Sequence, residues 1–250
     1  MLFDIFRSGG DKFTIIVNLC VRVFVIFCIL PIHEFAHALA ADKLGDDTPR
    51  LKGRLTLAPM AHIDPWGALM IILCGFGYAK PVPVNMRNFK KKIKSKNGET
   101  ISVYYPGQTS IYDAGYAKRC MAAVAFAGPA ANLLVAFISL FIYFLSAKLG
   151  ASSTLAHIIQ LFLQYSCMIN LNLAVFNLLP IPPLDGSRIL FAVTPDKVYY
   201  KIMQYERYIR IAILMLLVIG VLSYPLSALS TLIFKGMSSL IRLILHIDVG

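Results

Sequence analysis

The 250-residue sequence is poor in charge, and in acidic charge above all. Charged residues make up 15% of the chain, against about 25% in ordinary soluble domains, and only 13 residues are acidic. Apolar residues make up 58%. This composition excludes a disordered chain and a collagen-like repeat, and it favours a membrane protein over a soluble domain.

The sequence also lacks paired cysteines and a signal-peptide cleavage site. Its five cysteines show no C-x-x-C spacing, which argues against a disulfide scaffold or a cysteine zinc site. They lie in apolar stretches and are predicted to be membrane-buried thiols. No small-residue cleavage site follows the N-terminal apolar run, so we do not expect a signal peptide to be removed.

Long apolar runs predict an all-α polytopic membrane protein. It has a three-helix core and one or two C-terminal helices. The core spans are predicted at residues 22–44, 121–147 and 155–179, and a weaker C-terminal pair at 211–222 and 226–247. Residues 65–79 are too short to span and predict a re-entrant or surface-lying segment. The prolines of residues 75–85 predict a small extended loop, and residues 99–105 have strand propensity.

Basic residues define the predicted topology. Most of them fall in the loops 45–64, 80–119 and 186–210, which the positive-inside rule assigns to the cytoplasm. Arg22 is expected at a membrane interface, where its stem can snorkel. The net charge of +11 is therefore interpreted as a topology signal, and no nucleic-acid partner is expected.

One predicted helix carries the motif His33-Glu34-Phe35-Ala36-His37. Residues four apart on a helix share a face, so both imidazoles can reach one metal ion while Glu34 lies beside it. Chance would give this motif in about one in a thousand chains of this composition. The alternative is that the two histidines are only packed polar side chains. This interpretation does not explain why three ionisable groups lie at membrane depth.

A catalytic zinc needs a third protein ligand and one open position. Asp185 is the leading candidate, because it follows a proline-broken helix end and precedes Gly186, which allows a sharp turn. A turn or helix-capping aspartate is the alternative. The other candidates are His62, Asp64, His157 and His246.

Three motifs together resemble the site-2 protease family of intramembrane zinc metalloproteases. HEFAH resembles the family's HExxH, and residues 177–186, NLLPIPPLDG, resemble its N-x-x-P-x-x-x-L-D-G pattern. Residues 128–132, GPAAN, resemble its G-P-x-x-N motif. Residues 53–67 and 79–85 are similar to the compact bacterial branch of the family, which has no PDZ domain.

The resemblance implies a set of site residues. His33, His37 and Asp185 would bind one Zn²⁺ per chain, and Glu34 would be the general base. Asn132 and Asn177 would bind substrate backbone, and residues 75–84 would offer an edge to an unwound substrate. Gly128 and His62 are added as substrate-binding candidates, the latter near the mouth of the site. The alternatives are that Asn132 and Asn177 make interhelical contacts and that His62 is a plain interfacial histidine.

The expected protein is a single transmembrane metalloprotease domain over residues 1–250. Its parts are a core at about 14–195, a basic insertion loop at about 86–118 and a C-terminal helical pair at about 208–247. The expected function is hydrolysis of peptide bonds within or near transmembrane segments of membrane protein substrates, as in regulated intramembrane proteolysis.

The expected location is the cell membrane, as a multi-pass protein with its active site in the bilayer toward the cytoplasmic half. The partners are the lipid bilayer and a transmembrane substrate; the sequence does not define an oligomeric state. A metal-ion transporter or channel that uses the same His and Asp residues is the main alternative. An inert membrane scaffold is the third.

Overall fold

The computed structural model describes residues 12–74, 77–89, 91–94, 100–103, 114–150 and 153–247. These residues are mostly helical, and four helical stretches are long and apolar enough to cross a membrane. They are Ile15–Lys43, Ala114–Lys148, Thr154–Asn177 and Ser223–Leu245. The predicted class, a helical polytopic membrane protein, is confirmed.

The first span is continuous but contains a wide turn. Helix α1 (Lys12–Phe24) passes through a π-helical turn (Val25–Ile29) into α2 (Leu30–Lys43). The turn lies just before Pro31, which has no N–H for the carbonyl four residues earlier and whose ring clashes with it. A π-turn accommodates such a residue without ending the helix, and it is frequent near functional sites.

A short helical segment follows the first span. After the single turn α3 (Thr48–Leu51), helix α4 (Pro65–Cys74) is about 15 Å long, which is too short to cross a bilayer, as predicted. Asp64 caps it, because its Oδ1 accepts from the N–H groups of Trp66 and Gly67 at 3.0 Å. Residues 77–85 then form no helix or strand.

Arg22 differs from its predicted position. Its side chain is buried, and Nη1 donates to the carbonyls of Ile71 and Ile72, each at 3.0 Å. These carbonyls belong to the last turn of α4, where no intrahelical donor remains. Arg22 therefore binds the end of α4, and the prediction that it snorkels to an interface is wrong.

The basic insertion contains a small hairpin. Strands β1 (Lys91–Lys94) and β2 (Thr100–Val103) pair antiparallel, with Lys91 opposite Val103. The strand predicted at 99–105 is thus present at 100–103. The remainder of the insertion at 94–115 lies largely outside the described residues.

Two long helices form the centre of the molecule. Helix α5 (Ala114–Lys148) packs along α6 (Thr154–Asn177). Their shared core contains Leu140 and Leu171, and Ser139 and Ser166 are hydrogen-bonded at 3.3 Å across it. The four cysteines whose side chains the structure describes are free thiols, as predicted.

Four helices follow the proline-rich break after α6. They are α7 (Asp185–Phe191), α8 (Asp196–Met203), α9 (Glu206–Ile219) and α10 (Ser223–Leu245). Helix α9, at 14 residues, rises about 21 Å and ends at Gly220 in the left-handed conformation. Helix α10 packs on α5 and α6 and adds Ile241 to their core.

Candidate metal centre

The histidines of the HExxH motif lie side by side on α2. His33 and His37 are one turn apart, and their Nε2 atoms are 3.1 Å from each other. Both imidazoles and the Glu34 side chain between them are buried, with exposed fractions of 5%, 7% and 8% respectively. They are buried because the face of α2 on which they lie packs against α5.

Asp185 lies beside the two histidines, although it comes from the segment that follows α6. The prolines after Asn177 end α6, and α7 begins with Asp185. Oδ2 of Asp185 is 3.3 Å from Nε2 of His33 and 3.3 Å from Nε2 of His37. Gly186 allows this approach, because a Cβ there would overlap the carbonyl groups of Leu178 and Leu179.

The three atoms have the spacing of ligands to one metal ion. Ligands at about 2.0–2.2 Å from a tetrahedral zinc ion stand about 3.3–3.5 Å from one another. The observed separations are 3.1, 3.3 and 3.3 Å. Two imidazoles and one carboxylate also form a donor set typical of catalytic zinc, which leaves a fourth position for water. The residues present therefore fit a zinc ion.

Helix α5 orients the imidazoles. Nδ1 of His37 is 2.7 Å from the carbonyl oxygen of Val124, so His37 carries its proton on Nδ1 and presents Nε2 as the ligand atom. Gly128 lies one turn further along α5, where a Cβ would come within 2.7 Å of Cε1 of His33. Both imidazole rings therefore pack against Gly128, the glycine of the GPxxN motif.

Glu34 faces a small cleft of about 90 Å³ beside the cluster. Oε2 of Glu34 accepts a hydrogen bond from the N–H of Val82 at 3.2 Å, which fixes the carboxylate. The cleft is lined by residues of α2, α5 and α7, of the turn before α7, and of residues 77–85, here called the extended segment: Glu34, His37, Pro81, Val82, Val84, Met121, Val124, Ala125, Pro183, Asp185 and Arg188. Arg188, which brings a cation to this cleft, was not identified from sequence.

Two buried charged residues anchor the extended segment on either side of Val82. Nη2 of Arg54 donates to the carbonyls of Lys80 at 2.9 Å and Pro81 at 2.7 Å. Oδ2 of Asp46 accepts from the N–H of Asn85 at 2.7 Å. Sequence reasoning missed both. Arg54 lies in residues 53–67, which are similar to the compact bacterial branch of the family. Asp46 lies in no motif.

The remaining predicted substrate residues lie apart from the cleft lining. Asn132 is one turn beyond Gly128 on α5; it is buried, and its Oδ1 has no partner among the described residues. Asn177 is the last residue of α6 and is half-buried. His62 is fully buried: Nε2 is 2.8 Å from the carbonyl oxygen of Thr56, and its own carbonyl accepts from the N–H of Lys80. Their role in substrate binding stays a prediction.

Comparisons with known proteins agree with this geometry. The sequence pattern of peptidase family M50 matches residues 146–219, which include α6, α7 and Asp185. A protein of Bacillus subtilis (strain 168) named "Putative zinc metalloprotease YwhC" is 38% identical over 206 residues, or 82% of this chain and 83% of that protein. No solved structure matches the chain.

A helical membrane fold with these relatives defines a membrane zinc metalloprotease. The chain belongs to peptidase family M50, the site-2 protease family.

Proposed function

We propose that the protein is an intramembrane zinc endopeptidase, which cuts peptide bonds within or near the transmembrane segments of its substrates. One observation carries the proposal: three metal-ligand atoms and a glutamate carboxylate meet beside one cleft, and His33, Glu34 and His37 lie on a helix apolar enough to span a bilayer. Each ionisable group at that depth is costly, so such groups usually mark a functional site.

His33, His37 and Asp185 would hold one zinc ion per chain. Zinc supplies Lewis acidity, which lowers the pKa of a water molecule to about 7 and polarises the scissile carbonyl. The protein's part is to hold the three ligands at fixed separations and to leave the fourth position open to the cleft. The Nδ1 contact of His37 with Val124 and the packing of both rings on Gly128 supply this rigidity.

Glu34 would act as the general base. The N–H of Val82 binds Oε2 and orients the carboxylate, while Oε1 has no protein partner among the described residues. That oxygen takes the proton of the attacking water and later passes it to the leaving amine. The burial of Glu34 strengthens these interactions, because the local dielectric is low.

The extended segment at residues 77–85 would bind the unwound substrate. A transmembrane helix hides its carbonyls in hydrogen bonds, so it must unwind locally before cleavage, and the freed groups need new partners. The free backbone donor of this segment in the cleft is the N–H of Val84, with which no described residue pairs. Pro81 and Pro83 have no N–H to offer. Backbone pairing with this segment is the mode by which extended peptides add to an exposed edge.

We further propose that the protein resides in the cell membrane, with the centre toward the cytoplasmic half. Val124, which contacts His37, lies about 15 Å along α5 from its start. That end of α5 follows the basic loop 80–119, which the positive-inside rule assigns to the cytoplasm. The natural partner is a transmembrane protein. The catalytic core at about 14–195, with the insertion loop and the C-terminal pair attached, remains our proposed division of the domain.

Substitution Glu34→Gln tests the catalytic role. The amide keeps the size of the side chain but cannot take a proton, so cleavage of a reporter transmembrane substrate in proteoliposomes should fall by at least about 10²-fold. Zinc content, measured by elemental analysis, should stay near one per chain. Full cleavage by the variant would remove Glu34 from the reaction and refute the proposal.

The transport alternative has a distinct outcome in the same vesicles. A metal-ion pathway through His33, His37 and Asp185 would give zinc flux that survives Glu34→Gln, since this substitution leaves the ligand atoms in place. Flux without proteolysis would favour the transporter. Proteolysis without flux would exclude it.

A further inference from the structure

Two cations lie inside the last membrane span. Helix α10 contains Lys235 and Arg242, which are two turns apart and so share one helix face. Lys235 is close to the middle of the 23-residue helix. A lysine at that position in a span almost always faces a polar cavity or the bundle interior, and it marks a functional site. The proposed protease mechanism uses neither residue.

Both cations line a second cavity, between α5, α6 and α10. The cavity has a volume of about 740 Å³, and Ser238 and Gln164 add polar groups to its wall. The guanidinium of Arg242 lies over the ring of Phe144, 5.3 Å from its centroid. Nε of Arg242 and Oγ of Ser238 are buried and have no partner among the described residues.

The charge of this cavity is unbalanced in the part of the chain that the structure describes. No described carboxylate lines it, and none is paired with Lys235 or Arg242. The wall beside the cations is apolar and aromatic, with Phe144 and Phe234. A cavity with two cations, hydroxyl groups and an apolar wall is complementary to an amphiphilic anion.

The cavity is separate from the metal centre. On α5 it is lined by Leu140 and Phe144, which lie about 18–24 Å along the helix from Gly128. No ligand of the proposed zinc site lines it. Near the cavity, Nζ of Lys148 donates to the carbonyl of Leu245, so the ends of α5 and α10 lie together. Arg242 is one turn from that end, at the depth where arginine reaches lipid headgroups.

We propose that this cavity binds one anionic phospholipid. Lys235 and Arg242 hold the headgroup phosphate, Ser238 and Gln164 donate to its oxygens, and an acyl chain lies along Phe144 and Phe234. Arginine suits this role, because its planar donors match phosphate oxygens. The bound lipid joins α10 to the α5–α6 pair.

Lipid retention on the purified full chain tests the site. Native mass spectrometry is used to titrate phosphatidylglycerol and, separately, phosphatidylcholine. The wild-type chain should bind one phosphatidylglycerol at least tenfold more tightly than phosphatidylcholine. The double variant Lys235→Gln/Arg242→Gln should lose this preference. If that variant does not fold, Lys235→Gln alone should reduce the preference several-fold.

The matched control removes two exposed cations elsewhere. Lys197→Gln/Lys201→Gln on α8 deletes the same charge and should keep the wild-type preference. Equal losses in the two double variants would assign the lipid to general surface charge and overturn the site. Displacement of the lipid by millimolar inorganic phosphate would overturn a lipid as occupant in favour of a free anion. Neither readout uses proteolysis, so failure here leaves the protease proposal standing.

Discussion

His33, Glu34 and His37 are buried in a span whose other residues are mostly apolar. An unpaired charge at membrane depth costs about 2.5–3.5 kcal/mol or more, so each of these groups needs a partner. Glu34 has the N–H of Val82, and His37 has the carbonyl of Val124. Nδ1 of His33 has no partner among the described residues. A metal ion shared by the two Nε2 atoms and Asp185 would compensate the charge of that carboxylate, whereas it would leave Nδ1 of His33 unpaired.

Removal of the third ligand should empty the centre. In Asp185→Ala, two imidazoles remain, and zinc content of the purified protein should fall well below the wild-type value because the carboxylate supplies the only negative charge of the proposed ligand set. Asp196→Ala is the control, since this exposed aspartate pairs with Lys118 away from the cleft. Wild-type zinc content in Asp185→Ala would show that Asp185 is not a ligand.

Gly128 should be intolerant of even one methyl group. A Cβ at this position overlaps the rings of His33 and His37, so Gly128→Ala must displace the ligand atoms. Zinc affinity should fall at least tenfold, or by about 1.4 kcal/mol. In Gly236→Ala, where a Cβ meets no atom within 4 Å, affinity should stay unchanged. Equal affinities in the two variants would contradict the packing described here.

Sequence reasoning could identify some of these residues but not others. The i, i+4 spacing of His33 and His37 defines a shared helix face, and the proline break before Asp185 marks a carboxylate that is free to turn inward. The residues that support the site come from elsewhere in the chain. Val124 binds His37 through its backbone carbonyl, and Asp46 binds the N–H of Asn85 from a loop. Neither has a spacing that marks its role.

The extended segment at residues 77–85 is held without strand pairing to any other part of the chain that the structure describes. Arg54 binds the carbonyls of residues 80 and 81, Asp46 binds the N–H of Asn85, and Val82 contacts Glu34 between these anchors. These anchors on either side of Val82 define the path of the backbone past the Glu34 carboxylate. If the segment binds an unwound substrate as proposed, an edge held in this way would do so at a lower entropic cost than a mobile loop.

Substitution of Arg54 should weaken this element and spare the metal. Lysine cannot reproduce the planar donors that bind two carbonyls, so Arg54→Lys leaves a buried acceptor unpaired at a cost of about 1–3 kcal/mol. Cleavage should fall about tenfold while zinc content is retained. Arg50→Lys, on the exposed Arg50–Asp42 pair, should cleave at nearly the wild-type rate. Parallel loss of zinc in Arg54→Lys would indicate general unfolding instead.

Helix ends set by local chemistry were predictable, and long-range contacts were not. Prolines mark the end of α6, and Pro65 after the capping Asp64 marks the start of α4. The burial of Arg22 depends on the carbonyls of Ile71 and Ile72, about fifty positions away. A pattern along one helix contains no information about such a partner, which is why the burial of Arg22 was not predicted.

The fold shows where the many apolar residues and the few acidic residues of the chain lie. Exposed apolar side chains such as Ile16, Leu134 and Leu155 lie on candidate spans, where a lipid environment would cover them. The few acids are concentrated in specific tasks: Glu34 and Asp185 at the centre, and Asp46 at the anchor of the extended segment. Family membership in M50 agrees with this distribution.

Mapping of the cut in a reconstituted substrate tests the account most directly. The zinc-loaded chain is placed in proteoliposomes with a single-span reporter, and the products are measured by intact mass spectrometry. We expect a cut within or at the edge of the membrane-embedded stretch, with no product from Glu34→Gln. A cut confined to the soluble parts of the reporter, or the same products from Glu34→Gln, would contradict it.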